Sequence, residues 1–310
     1  MTELLFIEQL KSKILSECGA SRNLPIPPGD DCALVPSTEK GVLYAADMLM
    51  EGVHFDLSLT TPELVGRKAL AVNLSDIASM AGIPTAVTVC LALPKSRGGR
   101  LGDGIMRGMT DLANEYNVAI AGGDTNAWNG SLVVSVAVIG DPHPKGSVTR
   151  GGARPGDWIM VTGQLGGSLN GRHLTFPPRI REAYQLHNQY GLTAMIDVSD
   201  GLATDLRHIL AQSRVGATLA ESRIPIHPDC GLRPFDGMTH LEHALRDGED
   251  FELLFTVSPE MGAKILQDFS GHGGLSVSHI GTVTDQPNKL AWENGTLIEA
   301  RGYTHDFESE

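Results

Sequence analysis

Between Thr61 and Pro84 the chain reads TPELVGRKALAVNLSDIASMAGIP, and its apolar positions fall on every side of a helix rather than on one stripe. Thr61 is placed to cap the start and Pro62 suits the first turn. Gly82 is placed to close the helix in a left-handed turn, and Pro84 blocks extension. Leu64, Val65, Ala69, Leu70, Ala71, Val72, Leu74, Ile77, Ala78 and Met80 cover most of the circumference, which predicts a helix buried nearly all round. Asn73 and Asp76 share one face of it. An ionised carboxylate buried alone is costly, so Asp76 must be protonated, paired with a base or a neighbouring loop, or bound to a cation.

The remaining pattern alternates strands and helices. An amphipathic helix is expected over Thr2–Cys18, and short strands over Cys32–Val35 and Gly41–Met48. After the buried helix come a strand Thr85–Leu93, a helix Leu101–Tyr116, a strand Val118–Ala121 ending in Gly122-Gly123-Asp124-Thr125, and a strand Leu132–Gly140. The segment Asp141–Pro155 is rich in Pro, Gly and charge and marks a boundary, giving domains 1–140 and 141–310. Beyond it the pattern gives strands at Trp158–Thr162, Ala194–Asp197, Phe251–Val257, Ser276–Val283 and Lys289–Trp292. Helices are expected over Pro178–Tyr190, from Gly201 to Leu210, over Thr239–Arg246 and over Pro259–Phe269. This is an α/β or α+β architecture.

Composition narrows the function classes. A length of 310 residues suits two domains, and 41% hydrophobic content is that of an ordinary globular protein. No apolar run approaches a membrane span, and the N-terminus carries acids inside its apolar part, unlike a signal peptide, so a soluble cytoplasmic protein is expected. Cys18, Cys32, Cys90 and Cys230 lack metal or redox spacing. A net charge of −13 argues against nucleic acid or an anionic membrane as partner, yet permits anionic small substrates that arrive with cations.

The acids supply the candidate chemistry. Asp31, Asp47, Asp76, Asp124, Asp197 and Asp200 each stand at the end of an apolar segment or inside one, most of them close to a glycine in sequence. Six carboxylates converging without cations would repel one another, whereas oxygen ligands in that number suit several Mg²⁺ ions bridging to phosphates. Familiar alternatives fail. Gly166–His173, GGSLNGRH, has a spacing like the P-loop but puts Arg and His where Lys and Ser or Thr are needed, and no G-x-G-x-x-G follows a strand. Protein-kinase and hydrolase motifs are missing as well.

Together the motifs resemble the thiamine-monophosphate kinase family, of the superfamily that includes aminoimidazole ribonucleotide synthetase. They are Gly29-Asp30-Asp31-Cys32-Ala33, Asp47 with Glu51-Gly52-Val53-His54-Phe55, and Lys68 through Asp76. Gly122-Gly123-Asp124-Thr125, Thr149-Arg150 and Arg154 through Asp157 follow, then Ile196 through Gly201 and Gly248 through Leu253. The resemblance implies ATP-dependent phosphorylation of thiamine monophosphate to thiamine diphosphate with several Mg²⁺, by direct in-line transfer without a covalent catalytic residue. It implies magnesium ligation by the six aspartates, ATP binding by Gly123, Asp124, Arg150 and Ser199, and substrate binding by His54, Glu249 and Tyr303. It also implies a two-domain fold whose N-terminal sheet forms a barrel across a homodimer, with a C-terminal α/β domain beside it. Ala45 and Ala46 depart from the family, which usually has hydroxyl residues before Asp47, and the stretch Gly171–Leu192 is shorter than is common. The alternatives are a sister ATP-dependent synthetase and a non-catalytic sensor of thiamine phosphate or ATP.

Overall fold

The computed structural model describes residues 12, 25–26, 30–35, 41–232, 237–269, 275–299 and 302. The helix expected over Thr2–Cys18 lies outside them. The first half comprises β1 (Ala33–Val35), β2 (Val42–Met50), α1 (Pro62–Ser79), β3 (Ile83–Pro94), α2 (Gly98–Tyr116), β4 (Ala119–Trp128) and β5 (Val133–Asp141). Its sheet has the order β1-β2-β5-β3-β4 and is antiparallel except for the β3–β4 pair.

The second half contains β6 (Trp158–Thr162), α3 (Ile180–Tyr190), β7 (Ala194–Asp197), α4 (Leu202–Ser213), β8 (Gly216–Leu219) and α5 (His240–Arg246), then β9 (Leu253–Val257), α6 (Pro259–Phe269), β10 (Val277–Thr284) and β11 (Leu290–Trp292). The sheet order here is β11-β8-β10-β6-β9-β7, with β11 and β8 parallel and the other neighbours antiparallel.

Helix α1 is the hub, and its sequence explains why. The Thr61 side chain accepts a bond from the Leu64 amide, and Pro62 opens the first turn. Gly66 and Gly108 let α1 and α2 meet backbone to backbone, since a Cβ at either would stand within 2 Å of a carbonyl oxygen of the other helix (1.9 Å from Ile105 O, 1.8 Å from Glu63 O). The far end differs from expectation. Ala81, at φ 57°, takes the left-handed turn that the pattern assigned to Gly82. Gly82 is needed for space instead, because a Cβ there would meet Leu43 Cδ1 at 2.4 Å.

Two further elements depart from the sequence reading. Strand β4 does not stop at Ala121 but continues through both glycines to Trp128, because parallel pairing with β3 carries it past a register shift after Val87. Strand β8 was not anticipated. It has four residues, too few for a period to show, and exists because β10 and β11 flank it.

One hydrophobic cluster joins the halves, uniting Leu70, Leu74 and Ile77 of α1 with Phe176, Ile180, Met195, Phe251 and Phe255. A second cluster lies within the C-terminal half. The N-terminal sheet buries one face on α1 and leaves the other bare among the described residues. Tyr44, Met48 and Met50 project there from β2, with Ile139 opposite Tyr44.

Candidate active site

Three aspartates from distant parts of the chain meet where the halves join. Asp31 precedes β1, Asp76 sits within α1 and Asp197 ends β7; each brings a carboxylate oxygen to within 4.8 Å of the others. Asp47, on β2, hydrogen-bonds to Asp76 through its carboxyl, while its amide donates to Asn73 Oδ1 at 3.2 Å. That bond uses Asn73, three residues from Asp76 on the same face of α1. Burial pushes Asp47 up to about 6, with the Asp31 charge adding. Burial and then Asp31 push Asp197 up to about 7, against the opposing pull of Ser75 and Arg150. Asp76 rises well above the ordinary carboxylate range through burial and then the charges of Asp47, Asp197 and Asp31. So much negative charge in so little water holds protons unless cations replace them.

Arg150 is the cation on hand. Its Nη2 lies 2.5 Å from Asp31 Oδ1, and its amide donates to Asp30 Oδ2 at 3.2 Å. The side chain faces the acids rather than solvent, as a linker arginine would not. Asp30 is itself raised to about 6, by burial and then by Asp31. The other two aspartates of the sequence reading stand apart from the trio. Asp124 is exposed on β4 and accepts a bond from Asn126, and Asp200 follows β7 with its amide bonded to Asp205.

A second group of charged residues lies around α1. Lys68 Nζ donates to the His54 carbonyl and to both oxygens of Glu249, each at 2.7 Å. His173 Nδ1 lies 2.8 Å from Glu249 Oε2. Burial raises Glu249, but the bonds and charges of His173 and Lys68 outweigh it and leave the carboxyl below its usual range. His54 sits in the loop after β2, its Nδ1 accepting from the Met50 amide. Tyr303 lies outside the described residues.

The glycine-rich loop is accounted for. The Gly166 amide donates to Asp250, and the Gly167 amide to Asp247 Oδ2 at 2.9 Å. Amides spent on carboxylates are not a phosphate cradle. On β4, by contrast, a Cβ at Gly123 would stand 1.7 Å from Val89 O, so only glycine fits there. Ser199 does not cap the helix that follows; Gly201 holds that position.

Lys68, His173, Asp30, Asp205 and Ser75 were given no role of their own in the sequence reading. Lys68 had left a signal, being a charge in the middle of a helix expected to be dry. Asp30 and Asp205 were legible only as turn and first-turn acids. Ser75, whose Oγ bonds Asp197 at 2.5 Å, and His173 gave none.

The chain resembles known proteins along most of its length. The profile of the AIR synthase related protein family matches with its N-terminal domain at residues 29–141 and its C-terminal domain at 154–293. A thiamine-monophosphate kinase of Rhodopirellula baltica is 37% identical over 302 residues, spanning 93% of this chain and 94% of that one. One from Bacillus subtilis is 35% identical across 89% and 92%. A solved structure described as AaThiL complexed with AMPPCP and TMP superposes with a TM-score of 0.84 at 28% identity, covering 98% of this chain and 97% of that one. With identity this high along nearly the whole length of both partners, and both domains matched in order, the chain belongs to the thiamine-monophosphate kinase family.

Proposed function

We propose that the chain transfers the γ-phosphoryl group of ATP to thiamine monophosphate, forming thiamine diphosphate and ADP. The carrying observation is the meeting of Asp31, Asp76 and Asp197 from both halves of the sequence, where burial and neighbouring charge hold the Asp76 and Asp197 carboxyls well above their usual range. The donor set is all oxygen and suits a hard divalent ion. We assign Mg²⁺ to Asp31, Asp47, Asp76 and Asp197, with Asp124 and Asp200 as further ligands. Bound magnesium supplies charge neutralisation and alignment of the two phosphate groups.

The reaction is an in-line displacement: a phosphate oxygen of thiamine monophosphate forms a bond to the γ-phosphorus of ATP, the bond from that phosphorus to the β–γ bridging oxygen breaks, and ADP leaves. The acceptor is largely dianionic near neutrality, because its second pKa is about 6, so no side chain has to remove a proton. The chain contributes placement. Arg150 offers a guanidinium to the converging phosphates, Gly123, Asp124 and Ser199 meet the nucleotide, and His54, Glu249 and Tyr303 meet the thiamine end. The bare apolar face of the N-terminal sheet supports a homodimer in which two sheets close into a barrel. The family segments support a working division into 1–140 and 141–310.

A coupled assay of ADP release tests the reading. With Mg²⁺ and ATP, ADP and thiamine diphosphate form with thiamine monophosphate and not with other phosphate monoesters. Tight nucleotide binding without turnover would make the chain a sensor, and turnover with a different phosphorylated acceptor would make it a sister synthetase.

A further inference from the structure

Lys68 is a cation set in the dry part of α1, flanked by Val65, Ala69, Leu70 and Ala71, with no exposed side-chain surface. A buried ammonium persists when each of its three protons has an acceptor. Here the acceptors are the His54 carbonyl and the two Glu249 oxygens, which leaves the nearby His173 Nδ1 to donate to Glu249 Oε2. The Lys68 ammonium and the Glu249 carboxylate carry opposite charges 2.7 Å apart. The lysine's partners come from opposite halves of the chain, and both belong to the thiamine end of the proposed site. Lys68 stands eight positions before Asp76, about 12 Å along the helix axis, so it serves a different place from the carboxylate cluster.

The Glu249 backbone points the same way. Glu249 and Phe251 hold left-handed φ values of 53° and 50°, unusual for residues with side chains. The turn is pinned from beneath: Glu249 N donates to Ser199 O at 2.6 Å, Phe251 N to Val198 O at 2.8 Å, and Ser168 Oγ to Glu249 O at 2.6 Å. Strain of this kind persists where the surroundings over-determine it. The Glu249 carboxylate is held at its tip by Lys68 and His173 and at its base by the turn.

We infer that Lys68, seconded by His173, is a positioning residue for thiamine monophosphate: it fixes the Glu249 carboxylate and the His54 loop in one geometry across the two halves. The inference rests on the function proposed above. Lys68 acts through Glu249, so losing the lysine costs recognition only while Glu249 is there to be misplaced. A purely structural ion pair would instead raise both KM values together as the whole site loosens.

A double-mutant cycle on the full chain with Mg²⁺ and ATP decides it, using Lys68→Met, Glu249→Gln and both together. Lys68→Met is expected to raise KM for thiamine monophosphate roughly 10- to 100-fold, the scale of a lost charge-assisted hydrogen bond, with KM for ATP unchanged. In the Glu249→Gln background the same change adds less than twofold. His173→Leu removes a donor without stranding a buried charge and raises the same KM several-fold, again only with Glu249 present; it carries the test if Lys68→Met does not fold. Independent, multiplying effects, or equal rises in both KM values, overturn the inference. A parent chain that forms no ADP with thiamine monophosphate overturns the function and this inference with it, and that is seen before any variant is made.

Discussion

Asp197→Asn should make the magnesium-free chain more stable while abolishing turnover. In the folded chain this carboxyl ionises near 7 instead of the ordinary 3.8, through burial and then the charge of Asp31. The folded state therefore holds its proton more tightly than the unfolded state. Stability from this group is full below about pH 3.8 and is lost as pH rises to about 7. The penalty is roughly 2 kcal/mol at pH 5 and roughly 4 kcal/mol at pH 8. Asparagine never ionises, but it weakens the bond from Ser75 Oγ by about 1 kcal/mol, so the net gain is about 3 kcal/mol at pH 8. At roughly 2–4 °C per kcal/mol, the variant should melt about 6–12 °C above the parent in chelator at pH 8, with the gap shrinking towards pH 5. Added Mg²⁺ should raise the parent and do much less for the variant. A variant that melts at or below the parent at pH 8, or a gap that ignores pH, would refute the claim that Asp197 is an unsatisfied charge awaiting a cation.

Other changes probe other contacts. Arg150→Met leaves Asp30 and Asp31 facing each other without their cation and should cost about 3–5 kcal/mol in magnesium-free denaturant titrations at pH 8, with KM for ATP rising at least tenfold. Gly248→Ala puts a Cβ 2.5 Å from Ser199 O at φ 70°. It should lower stability by at least about 1–2 kcal/mol and raise KM for thiamine monophosphate. Met48→Glu charges the exposed apolar face of β2 and should convert a dimer to a monomer by light scattering, with the circular dichroism spectrum unchanged.

The elements carried by unbroken apolar segments were legible before the structure. Helix α1 could be read from its opening cap and all-round apolar surface, and the β6, β7 and β9 strands from short apolar runs. What failed had a physical reason. Two glycines next to a polar run looked like the end of β4, because sequence does not display the neighbouring strand that holds them extended. The short β8 owes its existence to partners far along the chain. Ala81 rather than Gly82 bends backwards after α1 because packing against Leu43 reserves the glycine for space. In the site, aspartates beside glycines were easy to see, whereas Lys68, His173 and Ser75 acquire meaning only through side chains more than 100 positions away.

The seating of α1 between the two halves also bears on how the protein is made. Leu74 and Ile77 share a cluster with Met195, Phe251 and Phe255, so a nascent chain released as far as β5 displays greasy helix surface for which no cover has yet been translated. At ribosome speeds of about 5–20 residues per second, the wait from Ser79 to Phe255 lasts roughly 9–35 s. During that interval a chaperone, or slow collapse onto the first sheet alone, has to shield the rod. A truncated gene ending near residue 141 should accordingly yield an insoluble product.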